Sequence, residues 1–252
     1  MSVLGIIPAR YASSRFPGKP LAVLCGKPLI QHTYERAKQA ACLTDVLVAT
    51  DDTRIAEAVI GFGGEVAMTS PDHASGTDRA AEVARGRSDE IIVNIQGDEP
   101  LIIPSAIETV VQPLLDNPEL PMTTLAHRIG EVSHLMNRHM GKVVMDRQGN
   151  ALYFTRAPIP YPAMDNPDAS IFEETVYYNT VGLYGYRRDF LLKFAELPAT
   201  PLEQAERLEQ LRALEHGYTI RVVETDYAPL GVDVPEDLPL AEQRLRDGDL
   251  NV

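Results

Sequence analysis

The feature that most constrains this chain is a repeated alternation. Short runs with no polar face are each followed by a stretch with helical spacing. "VLGII" (Val3 to Ile7), "DVLVAT" (Asp45 to Thr50) and "EIIVNIQGDEP" read as strands, the last running into an acidic turn. "IQHTYERAKQAA" (Ile30 to Ala41), "DTRIAEAVIGFGG" (Asp52 to Gly64) and "GTDRAAEVARG" read as helices, the second with an aspartate cap and a glycine stop; "EVAMTS" is a candidate third strand. A strand that is apolar on both faces must be covered on both faces. That means a parallel sheet sandwiched by helices and joined by right-handed crossovers. In such sheets ligands collect at the carboxyl ends of the strands, which puts the loop carrying Arg10, Asp51 and the Gln96-Gly97-Asp98 turn on one rim.

At 252 residues the chain suits one α/β domain, or a large lobe with a smaller one. After about residue 121 the pattern changes. "KVVMDRQGNALYFTR" (Lys142 to Arg156) reads as a hairpin, "APIPYPAMDNPD" as a proline-rich loop, and "YYNTVGLYGYR" (Tyr177 to Arg187) as a strand. "PLEQAERLEQLRALEHG" (Pro201 to Gly217) reads as a single helix with Leu202, Leu208, Leu211 and Leu214 toward the core; "TIRVVE" is a strand, and a last helix starts near Pro239. The expected organisation is one domain, with 1–120 as a nucleotide half, 121–200 as an acceptor and dimerisation part, and 201–252 as a closing helix, strand and turn.

Composition excludes several classes. A net charge of −13 argues against nucleic acid or anionic lipid as the main partner. No run approaches the ~18 apolar residues of a membrane span, and "MSVLGIIPAR" lacks the basic flank and length of a signal sequence. Cys25 and Cys42 form neither a close metal pair nor a disulfide framework, which fits a reducing cytoplasm. His134 and His139 read as surface residues.

Against this acidic background the loop "IIPARYASSRFPGKPL" (Ile6 to Leu21) stands out. It is not a Walker loop, because Gly18-Lys19 and Gly26-Lys27 are each followed by proline. The glycines of "GFGG" end a helix and so cannot open a dinucleotide fold. The Ile6–Leu21 loop offers flexible backbone, the hydroxyls of Ser13 and Ser14, the planar forks of Arg10 and Arg15, and the compact charge of Lys19. Cations spread along a loop behind a strand suit a linear polyphosphate. Asp98 and Asp233, both on the expected rim, suit magnesium, which takes few protein carboxylates and fills its shell with water and phosphate oxygens. Asp233, ahead of Val-Pro, also reads as a helix cap.

The loop resembles that of sugar nucleotidyltransferases, and in detail the 3-deoxy-manno-octulosonate (Kdo) cytidylyltransferase family. The resemblance continues in order through "VATDD", "SGTDR", "VNIQGDEPLI", "ALYFTRAPIP", "GLYGYR", "LEQLRALEHG" and "GVDVPEDL", nearly the whole chain. It implies a nucleotide-diphospho-sugar-transferase-like, mostly parallel sheet with a smaller mixed α/β insertion for dimerisation and acceptor binding. It also implies CTP and Kdo as partners, Mg2+ as cofactor, a homodimer, and a role in lipopolysaccharide synthesis. By resemblance Arg10 and Lys19 hold the triphosphate and act with Asp98 in catalysis, and Asp98 and Asp233 bind magnesium. Ser75, Gly76 and Arg79 read cytosine with main-chain groups near Pro8 and Ala9; from the residues alone, Asp78-Arg79 could equally be a surface pair at a helix start.

The positions implied for the acceptor are Gln96, Arg156, Thr180, Tyr184, Glu209 and Gln210; by themselves Glu209 and Gln210 also fit an ordinary polar helix face. One place departs from the family's pattern: Asn179-Thr180 stands where a basic residue and a histidine are usual. That keeps a second reading open, the same chemistry on another acid such as a different or modified ulosonic acid or a small phosphonate. A nucleotide-binding protein without turnover is opposed by the retained Arg10, Lys19, Asp98 and Asp233, and nothing resembles a partner helix.

Overall fold

A computed structural model of the chain describes residues 1–13, 15–162 and 167–248. The sheet grows from β1 (Val3–Ala9), with β4 (Asp45–Thr50) and β5 (Glu65–Met68) added parallel on one side and β6 (Ile91–Asn94) parallel on the other. Helices α1 (Leu29–Ala37), α2 (Thr53–Gly61) and α3 (Gly76–Arg85) make the crossovers, and a small ribbon of β2 (Val23–Leu24) and β3 (Lys27–Pro28) precedes α1. Every residue of β6 and all but one of β1 are buried, as strands without a polar face require. The Asp52 side chain accepts from the Arg54 amide at 3.0 Å and caps α2.

The sheet continues without a break into the second half. α4 (Pro104–Asp116) leads to β7 (Met122–Arg128), and β10 (Tyr178–Arg187) inserts antiparallel between β6 and β7. β11 (Ile220–Glu224) closes the edge parallel to β7, giving the order β11-β7-β10-β6-β1-β4-β5. The fold is therefore the expected mostly parallel α/β sandwich. The insertion contains α5 (Val132–Met136), the hairpin β8 (Lys142–Met145) and β9 (Ala151–Thr155), and α6 (Ile171–Glu174); β8 also pairs with the start of β10. α7 (Arg188–Glu196) follows β10 and covers the same face as α3, with Phe190, Leu191 and Phe194 buried.

The expectation of one helix over Pro201 to Gly217 is corrected. The segment is two short helices, α8 (Pro201–Glu206) and α9 (Leu211–Glu215), and Arg207 between them is left-handed at φ 54°. The physical reason is competition for carbonyls: those of Glu206 and Arg207 accept from the Arg156 guanidinium at 2.9 and 3.3 Å instead of from helix amides. Leu208 and Leu211 are buried, but Leu202 is exposed and does not face the core. The last helix, α10 (Leu238–Asp247), begins with Pro239 in its first turn, as the proline requires.

Candidate functional site

At the carboxyl ends of β1 and β6, beside the start of α3, the chain forms a cavity of about 250 Å³. Of the expected nucleotide and metal positions, Pro8, Ala9, Arg10, Ser13, Arg15, Lys19, Ser75, Gly76, Arg79, Asp98 and Asp233 all line it, together with Gln96 from the acceptor set. Ser14 lies outside the described residues.

The loop after β1 is folded back on itself. The Gly18 amide donates to the Tyr11 carbonyl at 2.9 Å, and the Phe16 amide donates to Ser13 Oγ at 3.3 Å. Gly18 has φ 73°, and a Cβ there would lie 3.0 Å from the Tyr11 ring, so both its backbone and its neighbour select glycine. The acidic turn is pressed against the end of β1 in the same way: a Cβ on Gly97 would meet the Pro8 carbonyl at 2.9 Å.

Two carboxylates far apart in sequence meet on one ammonium. Lys19 Nζ lies 2.6 Å from Asp98 Oδ2 and 3.4 Å from Asp233 Oδ1, and Arg15 grips both oxygens of Asp233 at 3.1 Å. Backbone ties make this possible, since the Val232 amide donates to the Asp98 carbonyl at 2.9 Å. The alternative reading of Asp233 as a cap falls away, because Asp237 does that work. Asp237 Oδ2 accepts from the amides of Asp233 and Val234 at 2.7 and 3.0 Å, leaving the Asp233 side chain free to face the loop cations. Among the described residues no group of three or more His, Cys, Asp or Glu is placed to hold a metal ion. Two carboxylates converging on a positive charge fit a cation that draws its other ligands from water and phosphate.

The segment expected to read the base is a capped helix start. Ser75 and Asp78 form a capping box, with the Asp78 amide donating to Ser75 Oγ at 3.1 Å and the Ser75 amide to Asp78 Oδ2 at 3.2 Å. Arg79 is not part of a surface pair. It is buried, 3.0 Å from Asp51, and donates to the Thr69 hydroxyl. His73 also lines the cavity and pairs with Glu82, a contact that only the proximity of "DHA" to "SGTDR" could have suggested.

Of the acceptor positions, Tyr184 and Glu209 sit close enough to influence one another. Burial, then the charges of Glu209 and Glu99, push the Tyr184 hydroxyl well up, while Arg156 opposes them. Gln210 is buried, so it does not lie on a solvent face. Gly182 brings β10 against the acidic turn, with its absent Cβ 3.2 Å from Gln96 Cγ. Thr180 Oγ1 donates to the Gly141 carbonyl at 3.2 Å, and the neighbouring Asn179 amide group meets His127 Nε2 at 2.8 Å.

The Arg156 guanidinium is spent on main-chain carbonyls, those of Arg138, His139, Glu206 and Arg207. Below it Lys142, wholly buried, donates to the carbonyls of Asn137, Met140 and Arg156, the last two at 3.0 and 3.1 Å. Burial, and then the Arg156 charge, lower the Lys142 pKa. Among the described residues no carboxylate stands within ion-pair distance of either cation. Lys142 was not singled out in the sequence, where a lone lysine opening "KVVM" looks like a strand edge.

Two further buried groups were missed. Glu99, beside Asp98, is buried, and among the described residues its carboxylate accepts from the Tyr227 hydroxyl at 3.2 Å. Burial pushes its carboxyl up to about 8, helped by the Asp98 charge. Thr77, in the first turn of α3, donates to Glu209 at 2.6 Å.

A parallel sheet whose rim brings a cationic loop against paired carboxylates, above a capped helix start, defines a nucleotidyltransferase. The cytidylyltransferase family model matches residues 4–220. Several relatives bear the name 3-deoxy-manno-octulosonate cytidylyltransferase. That of Syntrophotalea carbinolica is 57% identical over 98% of this chain and 99% of its own length. That of Geobacter sulfurreducens is 53% identical over 98% and 100%. A solved structure of CMP:2-keto-3-deoxy-manno-octonic acid synthetase complexed with CTP matches with a TM-score of 0.92 at 45% identity, covering 98% of this chain and all of that one. The 4-diphosphocytidyl-2C-methyl-D-erythritol synthase of Anaerococcus prevotii shares the fold at 12% identity and a TM-score of 0.62, over 97% of this chain and 98% of its own. The chain belongs to the 3-deoxy-manno-octulosonate cytidylyltransferase family. Among the described residues no helix is long and apolar enough to cross a membrane.

Proposed function

We propose that the protein couples CTP to the anomeric hydroxyl of Kdo, giving CMP-Kdo and pyrophosphate for lipopolysaccharide synthesis. The hydroxyl oxygen forms a bond to the α-phosphorus, the bond from that phosphorus to the bridging oxygen breaks, pyrophosphate leaves, and the hydroxyl proton passes to solvent. Such a transfer asks mainly for alignment and charge neutralisation.

Arg10, Arg15 and Lys19 hold the triphosphate, with the Ser13 and Ser14 hydroxyls as further donors. Ser75, Gly76 and Arg79, with the main chain at Pro8 and Ala9, read the base. Asp98 and Asp233 would hold Mg2+, which when bound lowers the charge on the phosphates and the pKa of a coordinated hydroxyl. Asp98 orients the attacking hydroxyl, and Gln96, Arg156, Thr180, Tyr184, Glu209 and Gln210 receive the acceptor. Labour then divides as 1–120 for the nucleotide, 121–200 for acceptor and dimer contacts, and 201–252 for closure.

The observation that carries an acidic acceptor is the Arg156–Lys142 pair, two cations whose charged heads are held by carbonyls and make no ion pair among the described residues. Lys142 is wholly buried, and buried positive charge is costly unless an anion supplies the balance. We infer a cytoplasmic homodimer, supported by the exposed apolar side chains Met136, Leu152, Tyr161 and Val176 in the middle part of the chain, which a second copy would cover.

The test is pyrophosphate release from CTP and Mg2+ with Kdo beside a panel of other ulosonic acids and small phosphonates. Fastest release with Kdo is expected. Fast release with another acid and none with Kdo would assign the acceptor to the alternative that Asn179-Thr180 motivates.

A further inference from the structure

The start of α3, which lines the cavity through Ser75 and Gly76, is tied to the expected acceptor residue Glu209 by a short side-chain hydrogen bond from Thr77. Thr77 stands in the first turn of α3, directly after Ser75 and Gly76, which line the nucleotide cavity. Its Oγ1 donates to Glu209 Oε2 at 2.6 Å and accepts from Asn94 Nδ2 at 3.3 Å. A hydroxyl has a single proton. The hydroxyl is thus set between Glu209, which takes its proton at 2.6 Å, and Asn94, with the buried Tyr186 hydroxyl also alongside. Thr77 and Asn94 are both buried, so water does not compete for either contact.

Glu209 depends on this bond more than a helical residue would. It follows the left-handed Arg207 in the link between α8 and α9, so it precedes α9 and lies in neither helix. Its other oxygen, Oε1, is buried without a hydrogen-bond partner and lies 3.8 Å from the Arg212 guanidinium. Burial pushes the Glu209 carboxyl up, while the Thr77 and Ser75 hydroxyls, with the Arg212 charge, favour its ionised form. A charge-assisted hydrogen bond of this length is both strong and directional.

We propose that Thr77 is a positioning residue for the acceptor, holding the Glu209 carboxylate in place from the helix that closes the nucleotide cavity. This rests on the reading of Glu209 as an acceptor contact. It assigns to the "T" of "SGTDR" a role separate from base reading.

The test is steady-state kinetics of Thr77→Val, Thr77→Ser, Glu209→Gln and the Thr77→Val/Glu209→Gln double variant, varying Kdo and CTP separately. Thr77→Val keeps the shape and removes the proton; Thr77→Ala serves in its place if it fails to fold. The expected result is a rise in Kdo KM of roughly 10-fold or more. CTP KM should stay within about 3-fold of wild type, Thr77→Ser should restore the Kdo KM, and the double variant should be no worse than Glu209→Gln alone. Equal rises in both KM values, or multiplicative effects in the double variant, would overturn the proposal. A raised Kdo KM in Glu209→Gln with an unchanged one in Thr77→Val would sink the role of Thr77 and leave that of Glu209 standing. An unchanged Kdo KM in Glu209→Gln would remove Glu209 from the acceptor site and the proposal with it.

Discussion

The two groups of functional side chains hold their cations in opposite ways. Around the nucleotide cavity Arg15 and Lys19 are paired with carboxylates, and the Arg15–Asp233 pair is open to solvent, with side chains 65% and 50% exposed. Around the proposed acceptor site Arg156 and Lys142 are clamped by main-chain carbonyls from several loops. Exposed ion pairs are worth about 0–1 kcal/mol and exchange partners readily. Moving a carbonyl-clamped cation breaks several hydrogen bonds at once, each worth about 0.5–1.5 kcal/mol. On the proposed assignment, a nucleotide arriving with several charges would trade places with the carboxylates, whereas an acidic sugar would meet a site already built.

The largest break in this contrast should come from Asp98→Asn. It removes one of the two carboxylates proposed to hold Mg2+, and kcat should fall by about 10³-fold or more with thermal stability nearly unchanged. Undiminished pyrophosphate release would take Asp98 out of the site. Arg156→Lys keeps the charge but loses the planar fork that spans four carbonyls. Kdo KM should rise on the order of 10²-fold while CTP KM stays within about 3-fold, and equal changes in both would merge the two halves.

Glu99 gives a stability test. Its folded pKa of about 8 lies above its ordinary 4.5, so the native state keeps a proton that the unfolded chain has released. Its contribution is fully present below pH 4.5 and is lost as pH rises toward about 8. Glu99→Gln, measured in chelator, should match the wild type near pH 4.5 and melt a few °C higher near pH 8. A difference that does not grow with pH would mean Glu99 is ionised in the fold. The smallest effect should be that of Arg15→Ala: stability within about 1 kcal/mol of wild type, with CTP KM raised several-fold. A large loss of stability would show that the Arg15–Asp233 pair is structural.

The nucleotide side was legible because its residues are local. The loop after β1, "SGTDR" and the acidic turn each hang on one strand end, and runs without a polar face fix where those ends lie. Asp233 was legible from the residues only as a metal carboxylate or a cap, and the resemblance favoured the first, because its approach to Asp98 depends on the Val232–Asp98 backbone bond. The antiparallel insertion of β10 between β6 and β7 left no local trace, since a buried strand reads alike in either direction.

The acceptor side was least legible. Leucine spacing over Pro201 to Gly217 argued for an unbroken helix, and helical spacing cannot register that Arg156 takes the carbonyls of Glu206 and Arg207. Lys142 and Thr77 escaped for the same reason. Their partners are carbonyls and a carboxylate brought by distant segments, and a single charged or hydroxyl side chain in a strand or helix carries no mark of such a partner.

The contrast between movable and clamped cations is tested most directly by a crystal structure with CTP and Mg2+ bound. Lys19 and Arg15 should have left Asp98 and Asp233 for phosphate oxygens, with Arg156 and Lys142 still on the same carbonyls. Persistence of the Lys19–Asp98 and Arg15–Asp233 pairs beside bound CTP, or a rebuilt Arg156, would contradict the account.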